Sequence, residues 1–261
     1  LQGRDRRAVL AEWLASPDNP WFAKNVANRV WAHFMGQGIV DPVDDVRVSN
    51  PPSNPALLDE LARRLVEYDY DLRRLIRDIT ASNTYQMATT THPSAINDRR
   101  NFAAAPVRRI SAETLLDAIC QVTDTEVKFD ALPLGARAAE IANGPSGNYF
   151  LEAFGRPARD TTCTCERREE PTLAQVLHLI NGNTISDAVA KPEGRVAAAI
   201  AKETASHDAV EELYLAALSR KPTDSERDDL VAYIDTAENK QQALEDVYWS
   251  VLNSNEFVFN H

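Results

Sequence analysis

Apolar residues return every three or four positions along most of this chain, and that period commits a water-exposed polypeptide to packed helices rather than sheets. The clearest runs carry their own end signals. "NPWFAKNVANRVWAHFMG" opens with Asn19 as N-cap and Pro20 in the first turn, bears a stripe of Phe22, Val26, Val30 and Phe34, and stops at Gly36. The Asn-Pro opening recurs at Asn54–Pro55, ahead of Leu57, Leu58, Leu61 and Leu65, and "DLRRLIRDITAS" follows almost without a loop. Upstream, "RRAVLAEWLAS" places Val9, Leu10, Trp13 and Leu14 on one stripe that ends by Pro17. A fifth helix, "ISAETLLDAICQV", is expected to bury Leu115 and Ile119, extending to Cys120 and Val122.

Two stretches break the pattern. "GQGIVDPVDDVRVSNPPSNP" is too rich in Gly and Pro for a helix and reads as an ordered surface connection. From Thr123 to Pro157 the period dissolves into loops with short strands. Helices resume at Pro171–Asn181, where Leu173, Val176, Leu177 and Ile180 form the expected core stripe beside a face of Ala174, His178 and Asn181, with Gly182 as the stop. Gly194–Glu203, "DAVEELYLAALSR", a helix with a Thr223-x-x-Glu226 capping box and "QQALEDVYWSVLNS" complete the series. The expected fold class is therefore mostly α: a multi-helix globular domain with an irregular, loop-rich middle segment at about 123–170. Its 261 residues suit either a single helical domain, 1–261, or two tightly packed helical halves, about 1–122 and 171–261, joined by that middle.

Composition narrows the partners. Arg and Lys number 28 against 39 Asp and Glu, a formal charge of −11, and a field of that sign repels phosphate backbones, so no nucleic acid is expected. No apolar run approaches the length needed to cross a bilayer, so no transmembrane segment is expected either. The chain opens directly on a charged helix and reads as the C-terminal part of a larger protein. Six arginine pairs (at 6–7, 63–64, 73–74, 99–100, 108–109 and 167–168) are expected to tie down neighbouring carboxylates on helix surfaces.

Several stretches together resemble one family. They are "NPWFAKNVANRVWAHFMGQGIVDPVDDVRVSNPPSNPALLDELA", "RRISAETLLDAI", "LPLGARA", "FLEAFGRPARDTTCTCERREEPTLAQVLHLINGNTI", "YLAALSRKPTDSE" and "DVYWSVLNSNEFVFNH". In that order they resemble the planctomycete-type domain of unknown function 1553, also called the first planctomycete secreted-protein domain, over nearly the full length. The resemblance implies an extracytoplasmic location and upstream domains of the same polypeptide as partners. Cytochrome-c-like domains are often among them, so haem would belong to those other domains. It implies no agreed activity. There is no C-x-x-C-H here, and no cofactor is expected in this fragment.

Candidate sites cluster in the irregular middle and the helix after it. Cys163 and Cys165 flank one residue, with Glu166, Arg167, His178 and Asn181 near them in sequence. Three readings are open. Thiolates at Cys163 and Cys165 with His178 could hold zinc, although the usual Cys spacing is wider and a fourth ligand would have to be recruited, from His33 or His92 for example. A disulfide across a single residue is strained and reducible, hence a redox pair. The plainest reading is a packed corner in which the thiols act as small buried hydrophobes. Arg137, Arg156 and Arg159, all in loops, are candidates for binding an anionic glycan, with salt bridges to Glu152, Asp160 or Glu166 as the competing role. Asp41, Asp44, Asp45 and Arg47 lack the spacing of a calcium loop, and turn formation with Asp–Arg pairing is expected. Asn28, Arg29 and Trp31 are assigned to helix packing opposite the apolar stripe. No G-x-S-x-G, H-E-x-x-H, P-loop or dinucleotide fingerprint occurs, so whether the chain is an enzyme stays open. The two functional readings are an accessory binding module, for a partner domain or an anionic glycan, and a metal- or thiol-dependent enzymatic or redox domain centred on Cys163, Cys165 and His178.

Overall fold

The computed structural model describes residues 3–16, 18–89, 93, 98, 100–130, 132–142, 147–158 and 172–260. They are mostly α-helical, and the two strand elements, β1 (Arg108–Arg109) and β2 (Phe259–Asn260), are two residues each. Two compact units divide at residue 108, one running from 1 to 108 and the other from 109 to 260. The "ISAETLLDAICQV" helix belongs to the second unit.

The N-terminal unit is built from α1 (Arg6–Leu14), α2 (Phe22–Met35), α3 (Pro55–Glu67) and α4 (Leu72–Thr80). Polar caps set the helix starts. Asn54 Oδ1 accepts the Leu57 amide at 3.1 Å, with Pro55 occupying the first turn. Asp71 Oδ1 accepts the Arg73 amide at 2.9 Å. Gly36 ends α2 at φ +73°, a left-handed conformation that only glycine adopts cheaply.

The core joins Ala27, Trp31 and Met35 of α2 to Leu58, Leu61 and Leu65 of α3, with Leu75 and Ile79 of α4 beneath. The buried stripe of α2 is therefore rotated by one residue from the expected one. Phe22, Val26, Val30 and Phe34 flank it half-buried, and Asn28 and Trp31, expected on the opposite face, are buried. Asn28 explains the phase. The connection after Gly36 must bury backbone polar groups, and Asn28 satisfies them, donating to the Val40 carbonyl at 2.9 Å and accepting the Val40 amide at 2.9 Å. On the same connection Asp45 pairs with Arg47 at 2.7 Å and Asp44 with Arg29, the expected Asp–Arg role. α1 departs further from expectation. Val9 and Leu14 are half-buried, but Leu10 and Trp13 face solvent.

The second unit is organised round α5 (Ala112–Thr123), whose Leu115, Leu116, Ile119 and Val122 are buried. Packed with it are α6 (Tyr149–Ala153), α7 (Leu173–Asn181), α8 (Asn183–Val189), α9 (Arg195–Ala201), α10 (Ser206–Leu218), α11 (Asp224–Thr236), α12 (Lys240–Leu252) and α13 (Asn255–Val258). The expected capping box opens α11: Glu226 accepts the Thr223 amide at 2.7 Å and Thr223 accepts the Glu226 amide at 3.3 Å. The Arg220 guanidinium grips both Glu226 and Glu256, tying the start of α11 to α13. Between residues 123 and 158 the described residues hold one turn of 3₁₀ helix, Ala138–Glu140, and the short α6, with no strand.

Candidate functional site

Helix α7 carries His178, and the orientation of the helix decides what that residue meets. A capping box starts it: Gln175 donates its amide to Thr172 Oγ1 at 3.3 Å, and Gln175 Oε1 accepts the Thr172 amide at 3.1 Å. The same Gln175 side chain is 4% exposed and continues inward. Its Nε2 donates to the Ala153 carbonyl at 3.0 Å, and its Oε1 also accepts from Arg109 Nη1. Arg109 Nη2 donates to the Phe154 carbonyl at 3.1 Å, with the guanidinium lying 5.7 Å from the Phe154 ring centroid. A polar side chain thus fills the buried face of an apolar-rich helix, because the last carbonyls of α6 need donors that no backbone amide supplies.

Rotation about that anchor decides the rest. Of the expected core stripe, Leu173, Val176 and Leu177 are 74%, 48% and 49% exposed, the side chain of Ile180 lies outside the described residues, and Tyr149 of α6 is 64% exposed. The expectation of a buried Leu173–Val176–Leu177 face is therefore reversed. His178, expected on a neighbouring face, is half-buried against aromatic rings, with centroids 5.3 Å from Tyr149, 5.6 Å from Phe150 and 6.1 Å from Phe154. Phe150 and Phe154 stack at 4.2 Å. His178 Nε2 lies 2.9 Å from Thr184 Oγ1, and burial lowers its pKa below 6.5, favouring the neutral ring. Gly182 closes α7 in an extended conformation and opens α8, rather than providing a left-handed stop.

Cys163, Cys165, Glu166, Arg167 and Arg159 lie outside the described residues, as does the side chain of Asn181. Among the described residues no group of three or more His, Cys, Asp or Glu could hold a metal ion. Cys120 is half-buried, and burial pushes its thiol up to about 11, so it stays protonated.

The other loop arginines meet carboxylates one turn apart on α5. Arg137 approaches Asp117 at 3.4 Å, while Arg156, almost wholly buried, lies 3.9 Å from Glu113 and donates to the Ile141 carbonyl at 3.2 Å. Asp117 also accepts the Ala138 amide at 2.6 Å and so caps the 3₁₀ turn. A cleft of about 370 Å³ opens beside Arg137, but Asp117, Asp124 and Glu126 line it too, so acid outweighs base there. Sequence reasoning missed Gln175 and Arg109. The Thr172-x-x-Gln175 spacing was the signal that could have found Gln175, since the capping box predicts which side chain turns inward.

A family model described as a protein of unknown function, DUF1553 or PSD1, matches residues 6–130 and 138–234. The chain belongs to this family. Both the N-terminal core and the α5–α8 region lie within the DUF1553 match, and Arg137 falls in the short interval that separates its two parts. No curated protein and no solved structure matches the chain.

Proposed function

We propose that this DUF1553 chain is an accessory binding module that docks a partner domain of its own polypeptide through the outer face of α6 and α7. One observation carries the reading. Leu173, Val176, Leu177 and Tyr149 form an exposed apolar face on an element anchored from behind by Gln175. Exposed apolar clusters of this kind mark protein contacts, because covering them removes apolar surface from water at about 25 cal/mol per Å². α7 itself carries no Asp, Glu, Lys or Arg, and its one ionisable group, His178, is biased neutral, so a partner meets the face without desolvating a charge. Upstream domains of the same chain, including a cytochrome-c-like domain in an extracytoplasmic setting, are the partners the family resemblance suggests.

The test pairs this chain with the separately produced upstream region and measures binding by titration calorimetry. Leu173→Glu/Leu177→Glu is expected to weaken binding at least about 100-fold, since a charge then enters a buried contact, with thermal unfolding unchanged. Cys163→Ser/Cys165→Ser is expected to leave binding intact. Unchanged binding by the first variant, or loss in a folded second one, contradicts the reading.

A further inference from the structure

A second exposed cluster lies wholly within the N-terminal unit and is independent of the α7 face. Trp13 and Trp21 are 54% and 47% exposed, large indoles left in water on a unit whose core is otherwise filled. One buried side chain, Asn19, bonds the backbone of both residues. Asn19 Nδ2 donates to the Trp13 carbonyl at 3.1 Å, while Asn19 Oδ1 accepts the Trp21 amide at 2.9 Å. Tyr70 brings α4 to the same corner. Its hydroxyl donates to the Ala15 carbonyl at 3.3 Å, and its ring centroid is 5.7 Å from that of Phe22. The turn that places it is strained, with Asp69 and Tyr70 both at positive φ, 52° and 60°, a conformation non-glycine residues adopt at a cost and that recurs at functional sites.

Immediately after Tyr70, α4 presents Leu72, Arg73 and Arg77 to solvent. Arg7, Arg29, Arg47, Arg63, Arg64 and Arg74 each pair with a carboxylate. Arg73 and Arg77, one helical turn apart, have no hydrogen-bond or ion-pair partner for their guanidinium groups among the described residues. The chain's negative charge is concentrated in the other unit. Residues 1–108 hold 14 Arg and Lys against 13 Asp and Glu, whereas 109–260 hold 14 against 26.

We infer that this corner, Trp13, Trp21, Arg73 and Arg77, binds an anionic glycan chain. An indole offers a flat apolar surface for the C–H face of a sugar ring, and the planar guanidinium fork matches sulfate or uronate oxygens two at a time. A peptide partner would need pockets for side chains or a sheet edge, whereas sugar rings require only flat aromatic surface with cations beside it.

The probe is dextran sulfate, with neutral dextran and polyglutamate as comparisons, and the readout is quenching of tryptophan fluorescence at low salt. Dextran sulfate is expected to bind. Arg73→Glu/Arg77→Glu should weaken it at least about tenfold and Trp13→Ala about fivefold. Lys202→Glu/Lys240→Glu, which changes the net charge equally in the other unit, should have less than about a twofold effect. Arg73→Gln/Arg77→Gln removes the forks without adding charge and guards against misfolding, which far-UV circular dichroism monitors. Polyglutamate binding as tightly as dextran sulfate, equal loss in the lysine control, or no response to Trp13→Ala would overturn the inference.

Discussion

Helices α7 and α12 have similar apolar content and point it in opposite directions. α12 buries Leu244, Val247, Tyr248, Val251 and Leu252 in the core of the second unit and leaves Gln241, Gln242 and Asp246 outside. α7 exposes Leu173, Val176 and Leu177 and buries Gln175. The two differ in what lies behind them. α12 packs against other apolar helix faces, where burial of hydrocarbon decides the rotation. α7 sits on the end of α6, where the Ala153 and Phe154 carbonyls require donors, and leaving such groups unpaired costs as much as a buried leucine side chain gains. A polar anchor therefore wins the phase of α7: Leu173, Val176 and Leu177 become the surface, and Leu179 stays half-buried against the core.

Substitutions should break the symmetry between the two helices. Leu252→Ala in α12, at a fully buried site, is expected to cost about 2–5 kcal/mol in urea unfolding. Gln175→Ala removes the side-chain donor to the Ala153 carbonyl and an acceptor of Arg109 Nη1 and is expected to cost about 1–3 kcal/mol, although the truncated side chain is polar. Leu173→Ala or Leu177→Ala should change stability by less than about 0.5 kcal/mol, the behaviour of a surface site despite the residue type. A loss at Leu177 equal to that at Leu252 would show that α7 is turned inward.

Acid provides the smallest and most local test. His178 has a folded pKa below its unfolded value of 6.5, so between those two values the unfolded chain binds more protons. Its contribution to stability is complete above 6.5, falls as pH drops from there, and levels off below the folded value. The difference in urea midpoint between pH 7.5 and 5.5 should therefore narrow in His178→Gln; an unchanged difference would place the acid sensitivity elsewhere.

Much of the fold was legible because start and stop chemistry is local. Asn54–Pro55, Gly36 and the Thr223–Glu226 box each act on backbone groups within a few residues, and each appears where the sequence implied. Periodicity likewise located the helices α2, α3, α5, α10 and α12. It did not give the phase of α2 or α7, because Asn28 and Gln175 bond to backbone groups of other elements, and those partners are visible only after folding. The arginine pairs show the same limit. Arg63 and Arg64 find glutamates on their own helix, as spacing suggests, but Arg109 serves Gln175 and the Phe154 carbonyl from far away in sequence. For the candidate site, the helical position of His178 was legible in the sequence. Its aromatic enclosure depended on α6, whose Phe150–Phe154 stack the irregular middle of the sequence did not announce.

The most direct measurement places a photoreactive amino acid at position 177 of this domain joined to the upstream partner proposed for it, irradiates it, and maps the cross-links by mass spectrometry. Docking through α7 predicts cross-links from position 177 to an upstream domain of the same chain, abolished by Leu173→Glu while the protein stays folded. Cross-links confined to α5, α8 or α12 within this domain would mean that the apolar face of α7 is buried in its own core, and the account would be wrong.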